Sequence, residues 1–265
     1  MPIPPILLHK DMAAGSLFTP SALLREARRQ KGLAGADVPP ICILDPDGDI
    51  VRRLRRDGEA QTFAPWPCYH TELETFRLGS QTAGIVGRAV GAPFAVLVAE
   101  QLFASGCRLL ISLTSAGQIA AAGPPPYFVL IDRALRDEGT SYHYAAPAEF
   151  AAADPRLVQM GKAALARDQL NAIVGSAWTT DAPFRETRQA IEAARARGVM
   201  AVEMEAAALY AFAQARGAAV LCVAHVTNAM GRVEGDFEKG DADGTTASLA
   251  LIGSIAAAWR AAQPR

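Results

Sequence analysis

Long apolar runs are missing from this sequence. Charged residues or glycines interrupt every apolar stretch well before the ~18 residues that a membrane span needs. The N-terminus also lacks a basic start followed by an apolar run, so no secretory signal is predicted. We therefore expect no membrane association and a cytoplasmic location.

A basic excess is absent as well. The chain has 26 Lys and Arg against 27 Asp and Glu, which gives a formal net charge of -1. Proteins that bind nucleic acids carry a basic excess, so we expect no nucleic-acid partner. The one local basic cluster is interpreted as a solvated face, and it consists of Arg52, Arg53, Arg55 and Arg56.

Cysteine is scarce, and the spacing of the few cysteines is uninformative for metals. The four residues occur singly, without the paired spacing of a zinc site or a disulfide framework. We predict reduced packing residues, as in a cytoplasmic protein. They are Cys42, Cys68, Cys107 and Cys222.

The 265 residues, 51% of them hydrophobic, suit one large α/β domain. Residues 1–38 are predicted to be an extension with a helix over 22–31, which Thr19-Pro20 precedes and Gly32 ends. Residues 39–265 are predicted to form the domain itself.

Strand-like and helix-like segments alternate through this domain, which predicts a mixed or mainly parallel sheet with helices on both faces. The predicted strands are 41–44, 82–90, 108–113, 127–131, 172–175, 200–203 and 219–226. The predicted helices are 93–104, 154–168, 186–197, 206–216 and 245–261. Residues 114–117 are predicted to be a tight loop after the third strand.

Ligands of such sheets bind beyond the carboxyl ends of the strands. Polar or glycine-rich residues follow five strands, at 88–91, 114–117, 177–186, 203–205 and 227–228. The acidic segment 45–49 also follows a strand, but the calcium-loop pattern needs Gly and Glu where this chain has Ile50 and Arg56. We interpret it as a plain turn.

Two carboxylates, Glu203 and Glu205, stand between an apolar strand and an almost wholly apolar helix. A buried carboxylate is costly unless it is paired or hydrogen-bonded. A helix N-terminus favours one glutamate but leaves the second unexplained. A carboxylate at a strand end is well placed to accept hydrogen bonds from the hydroxyls of a sugar.

The segment Val202-Glu203-Met204-Glu205-Ala206 resembles the signature of the nucleoside phosphorylase-I family, which contains purine nucleoside phosphorylases, uridine phosphorylases and methylthioadenosine nucleosidases. Further resemblances follow in the family's order: Gly91-Ala92-Pro93, Ser115-Ala116-Gly117, Gly175 to Asp181, and Val226-Thr227-Asn228. The resemblance implies a phosphorylase/hydrolase-like three-layer α/β/α fold with a central mixed sheet.

The resemblance also implies roles for single residues. Glu205 would accept hydrogen bonds from the ribose hydroxyls, Met204 would pack under the sugar, and Glu203 would support the sugar site or a water. Ser115 would face the ribose or the nucleophile, and Ala116 and Gly117 would let the base approach the backbone. Trp178 and Phe184 lie where family members cover the base, although Trp178 is equally well a core aromatic.

Asn228 bears on the base. Its amide can donate to N7 of a purine but cannot deliver a proton, and an Asn after Val-Thr resembles the phosphorylases that prefer 6-oxopurines. We therefore expect substrates similar to inosine or guanosine.

The phosphate site departs from the family pattern. Two arginines of uridine-phosphorylase-like members are replaced by Ser112 and, approximately, by Ile50. Arg88 resembles the phosphate-binding Gly-Arg of trimeric purine nucleoside phosphorylases, and an exposed loop arginine is the alternative.

The predicted activity is phosphorolysis of a purine nucleoside to free base and ribose 1-phosphate. Phosphate is a cosubstrate, and no metal or organic cofactor is implied. The alternatives are a nucleosidase that uses water and a nucleoside-binding protein without the chemistry. Family members are homo-oligomers, so we expect one here.

Overall fold

The computed structural model describes residues 3–12, 14–230 and 236–263. Within these residues, ten strands form one mixed sheet. The strands are β1 (Ile41–Asp45), β2 (Gln61–Thr62), β3 (Glu74–Leu78), β4 (Gln81–Gly87), β5 (Leu109–Gln118), β6 (Tyr127–Asp137), β7 (Phe150–Ala152), β8 (Ala172–Thr180), β9 (Val199–Glu203) and β10 (Val220–Asn228).

Helices cover both faces of this sheet, which confirms the predicted α/β architecture. The helices are α1 (Pro20–Lys31), α2 (Asp49–Arg56), α3 (Ala92–Ala104), α4 (Pro155–Arg167), α5 (Arg188–Ala196), α6 (Ala206–Arg216) and α7 (Thr245–Ala261). Helices α1, α3 and α6 pack together, and α7 packs against α2 and α4. Among the described residues, no helix is long and apolar enough to cross a membrane.

The strand order is β10-β6-β8-β9-β5-β1-β4-β3-β2, and β10 pairs with β5 as well. Five strands therefore form a closed ring, while β1, β4, β3 and β2 extend the sheet to one side. Strand β1 pairs in parallel with β4 and with β5, and β5 pairs in parallel with β10. The carboxyl ends of these four strands therefore lie at the same edge of the sheet.

The predicted loop at 114–117 is wrong, because these residues continue β5. Their backbone pairs with β10, from Ala224 opposite Thr114 to Asn228 opposite Gly117. Gly117 also pairs with Val202 of β9. Strand pairing on both sides outweighs the turn preference of a short Thr-Ser-Ala-Gly segment.

Helix α6 is fixed to the sheet by a buried tyrosine. The Tyr210 hydroxyl donates to the Ile131 carbonyl oxygen at 2.6 Å and accepts from the Cys222 N–H at 3.0 Å. These two bonds fix the middle of α6 to β6 and β10. All four cysteines are buried and free.

The segment that precedes β1 packs against the rest of the described structure. Its helix α1 begins after Thr19, whose hydroxyl caps the helix, and ends at Gly32 in the left-handed conformation, as predicted. Leu24 and Ala27 are buried, and the Lys31 ammonium donates to the Cys68 carbonyl oxygen at 2.7 Å.

Candidate functional site

Glu203 caps the start of α6. One of its carboxylate oxygens accepts from the N–H groups of Glu205 and Ala206, each at 2.7 Å, and the other accepts from the Thr179 hydroxyl. Burial raises the pKa of Glu203 to about 7, against the opposing effect of these hydrogen bonds. Both oxygens of Glu203 are thus already bonded within the chain.

Glu205 is bonded differently, although it is equally buried. Its Oε1 accepts from the Gly91 N–H at 2.7 Å, whereas its Oε2 is buried and has no partner among the described residues. The Thr114 hydroxyl lies near this carboxyl and acts to lower its pKa, but its hydrogen bond in this structure is a long one to the Ser115 carbonyl oxygen, at 3.4 Å. An unpartnered buried carboxylate oxygen is costly, so Oε2 is suited to receive a donor from a ligand.

Burial and the neighbouring Glu203 raise the pKa of Glu205 to about 8. Without a ligand, Glu203 and Glu205 therefore keep their protons to a higher pH than two exposed carboxyls would. A ligand hydroxyl that donates to Oε2 favours the charged carboxylate and lowers this pKa.

The raised carboxyl pKa values predict that stability falls with rising pH. Asp45, Glu203 and Glu205 have folded pKa values of about 7, 7 and 8, above their unfolded values. Such groups stabilise the folded state at low pH, and this contribution is lost as the pH rises through the folded pKa. We expect the melting temperature to fall between about pH 4, near the unfolded pKa values of these carboxyls, and about pH 8, above which they are charged in both states.

Glu205→Gln should flatten this dependence and raise stability at about pH 9 by on the order of 2 kcal/mol, because the amide carries no charge to bury. The exposed Glu192→Gln on α5 is the matched control. Thermal denaturation as a function of pH measures both variants. An equal pH slope in wild type and Glu205→Gln would contradict the buried charge.

Ser115 faces the turn after β1. Its N–H and its hydroxyl donate to the two carboxylate oxygens of Asp47, at 3.0 and 2.9 Å. The Lys239 ammonium lies 3.3 Å from Asp47 and 2.6 Å from Asp49. The acidic segment is a turn, as predicted, but two of its carboxylates take part in this cluster.

Asp45 fixes the shape of that turn. Its carboxylate accepts from the N–H groups of Gly48 and Val51 at 3.2 and 2.9 Å. These bonds hold the start of α2 and direct Asp47 across to β5. Among the described residues, no group of acidic, histidine and cysteine side chains could hold a metal ion.

The other side of β5 meets β10. The Asn228 amide is buried; its nitrogen donates to the Ala116 carbonyl oxygen at 3.4 Å, and its oxygen accepts from the Met230 N–H at 3.0 Å. The Met230 sulfur occupies the space that a Cβ on Gly117 would need. Met230, which the sequence did not single out, therefore fills the place expected for a base.

Trp178 and Phe184 have opposite environments. Trp178 is buried in β8, donates to Asp137 at 3.0 Å and belongs to an apolar cluster against which Met230 packs. This environment is that of a core aromatic, the alternative given for Trp178. The cluster adjoins the site through Met230, which also contacts Gly117. Phe184 is 100% exposed, so its ring covers no part of this chain.

Arg88 lies at the opposite side of the site, after β4. It is exposed and in the left-handed conformation, with φ of 65°, and its Cγ lies 2.9 Å from the point where a Cβ on Gly48 would be. Within the described part of the chain, it forms no ion pair with a carboxylate. It shares a cleft of about 440 Å³ with His70 and Phe94.

The strand ends thus bring together most of the predicted residues. Glu205, Ser115, Ala116, Gly117 and Asn228 converge around the ends of β5 and β10, and half-buried Met204 lies between Glu203 and Glu205. Three further contributors had no role in the predicted site, namely Asp47, Lys239 and the Gly91 N–H. Gly91 and Asp47 lie in segments that were noted after strands, but Asp47 was interpreted as part of a plain turn.

Comparison with known proteins identifies the family and agrees with the fold. A family model described as the phosphorylase superfamily matches residues 40–257. The chain is similar to the structure of a purine nucleoside phosphorylase from Toxoplasma gondii in complex with immucillin-H, with 17% identity, 84% of this chain and 93% of that chain covered, and a TM-score of 0.71. It is also similar to a uridine phosphorylase from Vibrio fischeri, with 21% identity, coverage of 82% and 90%, and a TM-score of 0.70.

Proposed function

Because the chain belongs to the phosphorylase superfamily, we propose that it is a nucleoside phosphorylase that acts on a purine nucleoside. It transfers the ribosyl group from the base to phosphate and gives free base and ribose 1-phosphate. The reaction uses no metal or organic cofactor.

The free oxygen of Glu205 is the observation that carries this proposal. It is buried at the strand ends, its partner oxygen is held by the Gly91 N–H at 2.7 Å, and it has no donor among the described residues. A ribose hydroxyl supplies the missing donor. Met204 packs under the sugar, and Glu203 holds the N-terminus of α6 so that Glu205 keeps its direction.

Cleavage of the glycosidic bond develops positive charge on the ribose and negative charge on the base. A carboxylate beside the sugar stabilises the first charge, and a donor beside the base stabilises the second. Glu205 takes the first role and the Asn228 amide the second. Ser115 and Arg88 bind the attacking phosphate.

A 6-oxopurine suits Asn228, since an amide both donates and accepts. Its present bonds to Ala116 and Thr227 are long, at 3.4 and 3.3 Å, so a base can replace them at low cost. Ala116 and Gly117 border the base, Trp178 packs behind it, and Met230 moves aside when it enters.

The proposed enzyme is a homo-oligomer that is located in the cytoplasm. The fully exposed ring of Phe184 becomes covered when a neighbouring copy or a bound base lies against it. The four free cysteines suit a reducing compartment.

A nucleosidase is the second candidate, and a specific observation favours it. The Ser115 donors hold Asp47, and buried Ser112 stands where related phosphorylases have an arginine. The negative charge of Asp47 beside Ser115 repels a phosphate dianion, and it favours a water molecule as the attacking group. A third candidate, a binding protein without chemistry, predicts nucleoside binding without base release.

Base release from a panel of nucleosides, with and without phosphate, tests the proposal. We expect inosine and guanosine to be cleaved at least about a hundredfold faster with phosphate, because phosphate is the nucleophile. Equal rates without phosphate would establish the nucleosidase, and faster cleavage of uridine would overturn the base assignment.

A further inference from the structure

One anionic group already occupies the part of the site around Ser115, and it is the carboxylate of Asp47. Three donors converge on this carboxylate: the Ser115 N–H at 3.0 Å, the Ser115 hydroxyl at 2.9 Å and the Lys239 ammonium at 3.3 Å. Two hydrogen-bond donors and a cation form a built oxyanion site.

Lys239 does not depend on Asp47 for its position. Its ammonium lies closer to Asp49, at 2.6 Å, and Asp49 is held in turn by Arg52 at 2.6 Å. Burial lowers the pKa of Lys239, but the bonds to Asp49 and Asp47 outweigh burial and raise it overall. Lys239 therefore keeps one carboxylate partner, Asp49, when Asp47 moves.

The cations expected for phosphate are missing from their usual places. Ser112 is buried in β5, its hydroxyl has no partner among the described residues, and Ile50 is buried in α2. Lys239 is half-buried and shares Asp47 with the Ser115 donors, whereas the Arg88 side chain packs against Gly48. The chain thus offers a lysine where the resemblance led us to expect arginine.

We propose that Lys239 is a second cation, in addition to Arg88, that binds the attacking phosphate, and that Asp47 occupies the place of the phosphate when phosphate is absent. Phosphate binds by exchange: Asp47 leaves Ser115, and phosphate oxygens take over the donors of Ser115 and Lys239. Asp49 is the positioning residue for Lys239. This inference rests on the proposed phosphorolysis, and it adds that phosphate competes with an internal carboxylate.

Phosphate affinity, measured by calorimetry with inorganic phosphate on the full chain, tests the exchange. Asp47→Ala should bind phosphate about tenfold more tightly than wild type, because it removes both the competitor and a like charge. Lys239→Met should bind about tenfold more weakly, and Lys239→Arg should keep most of the affinity. Arg56→Met is the matched control, since it removes an exposed cation of α2 that pairs with Asp57 at 2.9 Å and not with Asp47 or Asp49.

The double variant separates contact with phosphate from simple neutralisation of Asp47. If Lys239 binds phosphate directly, Lys239→Met weakens binding in the Asp47→Ala background as well. If Lys239 only neutralises Asp47, the second substitution has no effect there, and the proposal is wrong. Circular dichroism and the melting temperature of each variant establish that it is folded.

The outcomes also separate this inference from the proposed function. Phosphate-dependent base release with unchanged phosphate affinity in Lys239→Met would leave phosphorolysis standing and refute the role of Lys239. Phosphate-independent base release in wild type would refute phosphorolysis, while the calorimetry would still decide whether Ser115 and Lys239 bind phosphate. An absence of phosphate binding to both wild type and Asp47→Ala would refute the inference.

Discussion

Glu205→Gln is expected to lower kcat/KM for the nucleoside about a thousandfold. Glutamine keeps an oxygen for the Gly91 N–H, so the bond at 2.7 Å can persist. It removes the negative charge beside the ribose and places an amide nitrogen, which cannot accept a hydrogen bond, where the hydroxyls donate. The loss falls mainly on kcat, because charge on the ribose develops only in the transition state.

Steady-state kinetics of base release measure this effect, with Glu192→Gln as the matched control on the exposed side of α5. The control should retain wild-type kcat/KM. A loss of less than about tenfold in Glu205→Gln would place Glu205 outside the transition-state contacts. An equal loss in the control would point to a general effect on the fold.

Glu203→Ala is expected to lower the free energy of unfolding by about 3 kcal/mol, because it leaves three donors without their acceptor. These donors are the N–H groups of Glu205 and Ala206 and the Thr179 hydroxyl. The start of α6 then loses its cap. The activity loss follows indirectly, through misplacement of Glu205.

Urea denaturation at about pH 7 measures the stability change, and Glu203→Gln provides the graded comparison, since one oxygen remains to accept. The glutamine variant should lie between wild type and alanine in stability. Wild-type stability in Glu203→Ala, together with lost activity, would give Glu203 a direct role at the substrate.

Much of the fold follows from sequence periodicity, and the errors have physical causes. Helices α6 and α7 have their predicted bounds, because apolar runs between capping signals define them. Strands β6 and β8 are longer than predicted, at Tyr127–Asp137 and Ala172–Thr180. Polar residues at their ends resemble loop residues, but pairing between these two strands continues to Asp137 and Thr180.

Helix α2 was not predicted. Its sequence contains four arginines, and only Ile50, Val51 and Leu54 are buried, so it resembles an exposed loop. The interpretation of these arginines as a solvated face holds for the helix, where Arg55 pairs with Glu72 at 2.5 Å and also with Glu74. Ion pairs between distant segments leave no periodic signal in a sequence.

In the site, too, local sequence patterns predicted some residues, whereas contacts between distant residues were not predicted. Glu205 was predicted because a second carboxylate next to an apolar helix needs an explanation, and Ser115 and Asn228 were predicted because they follow apolar strand segments. The contact between Lys239 and Asp47 joins residues 192 positions apart, which no local pattern encodes. The hydrogen bonds between Asp47 and Ser115 could be found only from the three-dimensional structure.

The sugar product tests the central claim most directly. Inosine and phosphate are incubated with the protein, and the products are identified by phosphorus NMR together with chromatography of the base. We predict one ribose 1-phosphate for each hypoxanthine released and none with Glu205→Gln at matched protein concentration. Free ribose formed at the same rate with or without phosphate, or no base released from any nucleoside tested, would contradict the assignment as a nucleoside phosphorylase.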